Sequence, residues 1–137
     1  MTDTKDDASV NLIRALAQNM EGPVAEWESK NVDWESMAII IESSNGRYNS
    51  AHGYLYSADG TVTAVAARPS VVLPFVDAYI NGVYKPGDER PVKFLVQYSR
   101  TSGKYLITFE DTDATRWKVS MKNYKEVQQS LRPTFDD

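Results

Sequence analysis

Trp34-Glu35-Ser36-Met37-Ala38-Ile39-Ile40-Ile41-Glu42-Ser43-Ser44-Asn45-Gly46-Arg47-Tyr48 is the stretch whose reading decides the fold. Residues 37–41 form an unbroken apolar run rich in β-branched side chains, which suit a pleated surface and lose rotamer freedom in a helix. The run ends at Ser43-Ser44 and meets Asn45-Gly46, two residues that tolerate the positive φ of a type I′ hairpin turn. The chain must then return antiparallel, which makes residues 47–56, with Tyr54, Leu55 and Tyr56, the partner strand. Asp59-Gly60 reads as a second turn of the same kind, and residues 61–67, with Val62 and Val65, as a third strand. The result is a meander.

On the N-terminal side, Ile13, Leu16, Ala17 and Met20 follow the i, i+3, i+4, i+7 spacing of an amphipathic helix over residues 8–20, with Ser9 as its N-cap. Gly22-Pro23 interrupts it, and residues 23–29, carrying Trp27, read as a short second turn. Residues 1–8 hold Asp3, Lys5, Asp6 and Asp7 with no large apolar residue after the start and are expected to fray, as are residues 134–137.

On the C-terminal side, Pro69 closes the meander. Val72, Phe75, Val76, Tyr79 and Ile80 then recur at helical spacing behind a Ser70 cap, which requires Pro74 to lie in the first turn. Residues 84–91 are a loop. Val92, Phe94, Val96 and Tyr98, then Tyr105, Ile107 and Phe109, alternate with mostly polar neighbours across a Ser102-Gly103 turn; such alternation predicts one buried and one wet face. Residues 116–119 read as a short strand. Asn123 and Glu126 resemble a capping box that opens a last helix through Tyr124, Val127 and Leu131, ended by Pro133. The expected architecture is α+β: one domain with a single antiparallel sheet of five to six strands, and N-terminal, central and C-terminal helices packed on it.

The chemistry-bearing residues are few. With no cysteine, thiol nucleophiles, disulfides and cysteine-ligated zinc are excluded. His52 is the single histidine and no second ligand sits at helical or hairpin spacing from it, so no metal site and no cofactor are expected. Asp111, Asp113 and Thr115 alternate as in a calcium loop, but Arg116 and Lys122 occupy the positions where an EF-hand needs Gly and Glu, so this segment reads as an Asx-type polar turn. Gly46, Gly53 and Gly60 fall within strands and turns, not between a strand and a helix, and make no phosphate loop. No enzymatic constellation emerges.

A net charge of −4 opposes binding to nucleic acid. No apolar run approaches the roughly 20 residues that cross a bilayer, and the acidic opening is unlike a signal peptide, so the expectation is a cytoplasmic protein with no membrane contact. Charge is uneven: Glu21, Glu26, Glu28, Asp33 and Glu35 face Lys30 alone, whereas Arg116, Lys118, Lys122, Lys125 and Arg132 face Glu126 alone. Such asymmetry marks either two solvated faces or an acidic docking surface for a basic partner.

Taken in order, the helix, Pro23 with Trp27, the Gly53-Tyr54-Leu55-Tyr56 meander, the central helix, the strand hairpin, Arg116-Trp117 and the Asn123-containing terminal helix resemble the YezG-like immunity proteins of bacterial toxin systems, contact-dependent inhibition among them. The segment after Trp27 and the less acidic central helix depart from that pattern. The resemblance implies a cytoplasmic antitoxin that binds the toxic domain, often a nuclease, of an effector. On that basis the expected partner-binding residues are Glu26, Glu28, Asp33, Glu35, Asp88, Glu89, Asp111 and Asp113, with Tyr84 as the aromatic anchor. Two other readings fit the residues: an adaptor or secretion-chaperone-like interaction module, and a small-ligand-binding α+β protein.

Overall fold

The computed structural model describes residues 4–18, 20–21, 34–44, 47–67, 69–113, 115–118 and 120–133. The chain runs α1 (Thr4–Gln18), β1 (Met20–Glu21), β2 (Trp34–Ser44), β3 (Arg47–Ser57), β4 (Val62–Ala67), α2 (Pro69–Val83), β5 (Lys93–Ser99), β6 (Tyr105–Glu110) and α3 (Tyr124–Leu131). The strands form one antiparallel sheet in the order β1-β4-β3-β2-β5-β6, the α+β architecture that the patterning predicts. Among the described residues no helix is long and apolar enough to cross a membrane.

β2 is the centre of the sheet, bonded to β3 on one edge and β5 on the other. Its odd residues Met37, Ile39 and Ile41 join Phe94, Val96, Leu55 and Val65 in the core under α1 and α2, which pack against each other. Its even residues Ala38 and Ile40 join Tyr54, Tyr56, Leu95 and Leu131 on the opposite face. The centre of the sheet is therefore covered on both faces, a correction to the one-wet-face expectation. Unbroken apolar character in residues 37–41 is what two-sided burial demands.

The polar residues that alternate along β5 are not turned to water. They are hooks for the C-terminal segment. Gln97 Nε2 donates to Leu131 O (2.8 Å), and Tyr56 OH, from β3, donates to Gln128 O (2.6 Å). Both acceptors lie in the last turn of α3, where backbone carbonyls have no intrahelical donor. Lys93, 3% exposed, donates to Arg116 O (2.9 Å).

Other expectations are corrected in detail. α1 begins at Thr4, so Ser9 lies inside the helix, buried, with its Oγ 2.9 Å from Tyr105 OH. Met20 belongs to the short β1, not to α1. Gly60 alone has positive φ in the 57–61 connection; Gly60 N bonds Ser57 O and Ser57 N bonds Thr61 O, the three-residue hairpin with a glycine bulge, not a type I′ turn. Pro74 sits in the second turn of α2, where its ring removes the bond to Ser70 O, and Phe75 is 39% exposed while Val72, Val76, Tyr79 and Ile80 are buried. Residues 115–117 turn instead of forming a strand, with Trp117 at φ 64°. Asn123 makes no capping bond to α3; its Oδ1 accepts from Ser120 N and Oγ, and its Nδ2 donates to Lys118 O. Tyr124 is 41% exposed, outside the core. The turns read at residues 23–29 and 45–46 lie outside the described residues.

Gly53 lies opposite Ile39, and a Cβ built on it would overlap the carbonyl of Ala38, a backbone group that cannot swing aside. Gly53→Ala is expected to lower the stability by about 2 kcal/mol or more, the scale of overpacking in a rigid core. Gly60→Ala, strained only by its φ of +92°, meets no neighbour and should cost about 1 kcal/mol. Urea midpoints of the two variants check both the sizes and the order.

Candidate functional site

α3 is too small to cover its face of the sheet. Its 8 residues span about 12 Å, whereas the distance from β6 to β4, at about 4.8 Å per strand, is roughly 19 Å. The helix sits over β5 and the adjoining part of β2 and β3 through Leu131, Val127 and Tyr56, and leaves the β3–β4 side open. There a cleft of about 530 Å³ is lined by Ile40, Tyr54, Ala64 and Ala66 and by Glu42, His52, Lys93, Trp117 and Lys118.

The charged members form one network. His52 Nε2 lies 2.6 Å from Glu42 Oε1, and Lys93 Nζ lies 3.3 Å from Glu42 Oε2. Burial opposes ionisation of Glu42, but the His52 hydrogen bond and the Lys93 charge outweigh it and hold the carboxyl below its ordinary value of 4.5. Glu42 is thus an anion clamped between two donors. Lys93 reaches on to Arg116 O, and the Arg116 guanidinium pairs with Glu110 Oε1 at 2.9 Å while stacking 4.5 Å from the Trp117 ring.

Glu42 and Lys93 are not among the residues singled out from the sequence, and Glu42 is a carboxylate that reaches His52 across the β2–β3 hairpin. A β-bulge is the reason. Ser43 and Ser44 pair with Tyr48 and Arg47, but the register then shifts, so Glu42 faces Ser50 and Ile40 faces His52. Without the extra residue, Asn49, His52 would fall opposite Ile39 and point to the other face, away from Glu42. Lys93, directly opposite Glu42 across β2–β5, completes the set.

The residues expected to bind a partner fall into three groups. Glu26, Glu28 and Asp33 lie outside the described residues. Glu35 is exposed at the start of β2, about 23 Å along the strand from Glu42. Tyr84, Asp88, Glu89, Asp111 and Asp113 share the opposite end of the sheet: Val92 N bonds Glu110 O, which sets the end of the 84–91 loop beside the 110–113 turn, and the half-buried Tyr84 packs edge-on against Phe109 at 5.8 Å. Asp88, Glu89, Asp111 and Asp113 are exposed. The turn is rigid. Glu110 accepts from Thr112 N, Asp113 N and Arg116, and Asp113 accepts from Thr115 N and Oγ1, the Asx turn expected there. Those bonds hold both carboxyls below their usual range. Among the described residues, no group of three or more potential metal-ligating side chains of His, Cys, Asp or Glu comes together.

No family model, curated protein or solved structure matches the chain.

A carboxyl whose folded value is depressed stabilises the fold above its unfolded value, and that contribution disappears as pH falls through the folded value. Glu42→Gln is therefore expected to be less stable than the parent at pH 7, with the gap narrowing as the pH falls below 4.5. Thermal unfolding across that range reads the difference; an equal gap at both ends would show that Glu42 contributes no charge.

Proposed function

We propose that this chain is an immunity-type protein that binds and neutralises the toxic, nuclease-class domain of a bacterial effector. Two things support the reading. The order of elements and the Gly53-Tyr54-Leu55-Tyr56, Arg116-Trp117 and Asn123 signals resemble the YezG-like immunity proteins. The observation that carries it is the turn 110–113, where the carboxylates of Glu110 and Asp113 accept from backbone N–H groups of the same segment, beside the 84–91 loop. A preformed anionic surface loses little freedom on association, and its charge speeds encounter with a basic nuclease domain.

In this reading Asp88, Glu89, Asp111 and Asp113 supply the charge and Tyr84 the aromatic anchor, while Glu35 lies outside the contact. An adaptor would use a similar surface, and what separates the two is toxicity of the partner. The test is co-expression with the product of the adjacent upstream reading frame: growth should be blocked by that product alone and restored by this chain. Failure of rescue, or a harmless neighbour, removes the reading. With the complex in hand, Glu89→Lys combined with Asp111→Lys should lower the association rate about tenfold at low ionic strength, and by much less in high salt.

A further inference from the structure

Three features stand apart from the acidic turn: the cleft on the α3 face, the groove between α1 and β5–β6 lined by Val10, Ile13, Tyr98 and Tyr105, and the open edge of β6 with Leu106 51% exposed. The first joins an open cleft to a buried cation and a paired carboxylate, groups that select a ligand. We infer that this cleft is a binding site for a small organic anion, one with an apolar body and a single carboxylate or phosphate group.

The chemistry follows from the lining. Ile40, Tyr54, Ala64 and Ala66 give an apolar floor, and about 530 Å³ is the volume of sites that take small molecules. At the polar end Lys93 and Lys118 face Glu42 as the one ionised acid of the lining, so the fixed charge is positive even with His52 neutral. Lys93 is the selective element. Its ammonium is taken out of water, 3% exposed, and among the described residues it has two partners, Glu42 Oε2 and Arg116 O. An ammonium has three donors, and burying one incompletely paired costs free energy unless an anion arrives. Glu42 has both oxygens engaged, by His52 and by Lys93. Asp113 senses Lys93, but its Oδ1 is bound to Thr115. Trp117 closes the wall from a left-handed backbone conformation, φ 64°, which bulky residues avoid and which gathers at ligand clamps. This inference does not rest on the toxin-binding reading: the cleft opens on the sheet face and not at the 110–113 turn, although Lys93 and Arg116 link the two.

Amide chemical shifts of the full-length protein, titrated with benzoate, phenyl phosphate, benzyl alcohol and benzylamine, test it. Benzoate or phenyl phosphate should move the resonances of His52, Gly53, Ala64, Ala66 and Lys118 with saturation. The neutral and cationic analogues should bind at least tenfold more weakly, and the ratio of the two anions separates carboxylate from phosphate preference. Lys118→Gln, at an exposed position that carries no core packing, should weaken the anion several-fold, and Lys93→Met paired with Glu42→Leu should abolish it. Equal shifts with all four probes, no saturating shift with either anion, or unchanged binding in Lys118→Gln and in the Lys93/Glu42 double variant would overturn the assignment.

Discussion

Burial of β2 on both faces and hydrogen bonding on both its edges is the constraint from which the rest of this structure follows. An interior strand of that kind has no side to give to water, so each face needs a cover. α1 and α2 supply one, a dry layer against Met37, Ile39 and Ile41, with Tyr48, Tyr79, Phe94 and Phe109 meeting ring to ring at 5.6 to 6.2 Å. The C-terminal segment supplies the other. That segment has too few apolar residues to hold by burial alone, and it is tied down through Tyr56, Gln97 and Lys93 instead. Hydrogen bonds of that sort contribute about 1 kcal/mol each, more where one partner is charged. Their larger effect is to fix where the segment lies.

How much of this was legible in the sequence depends on which contacts are local. The run at 37–41, the Asp59-Gly60 connection and the helical spacing of Val72, Val76, Tyr79 and Ile80 are short-range patterns, and they gave strands, meander and central helix close to their observed limits. The alternation in β5 was legible as a strand but misleading as to environment. Lys93 and Gln97 have the composition of a wet face, and nothing within a few residues of them announces that the C-terminal segment returns to accept their hydrogens, at Arg116 O and at Leu131 O of α3. Patterning reports polarity, and a polar side chain with a distant partner looks the same as one in water.

The bulge at Asn49 is the sharper case. A two-residue turn fixes register only to the first irregularity, and one added residue exchanges the two faces for everything beyond it. Residues 50–57 therefore present to α3 the side chains that simple counting from Ser44–Arg47 assigns to α1 and α2, His52 among them. The acidic turn was the opposite kind of problem: Asp111 and Asp113 with Thr115 carry their own hydrogen-bonding logic within a few residues, and the Asx geometry emerges as read.

The acidic turn and the cleft are built on one set of contacts. Glu110 holds the Arg116 side chain, Arg116 offers its carbonyl to Lys93, Lys93 meets Glu42, and Glu42 meets His52, each step between 2.6 and 3.3 Å. A bulky residue in the left-handed region costs roughly 1–2 kcal/mol, and Trp117 occupies it because the residue before it is fastened at both ends, by its guanidinium to Glu110 and by its backbone to Lys93. That fastening places the indole against the α3-face cluster while the neighbouring Lys118 lines the cleft. Removing the Lys93 ammonium would unfasten Arg116 as well as take away one of the two groups that clamp Glu42, so the geometry of the outer turn and the charge of the inner cleft both depend on the same buried cation.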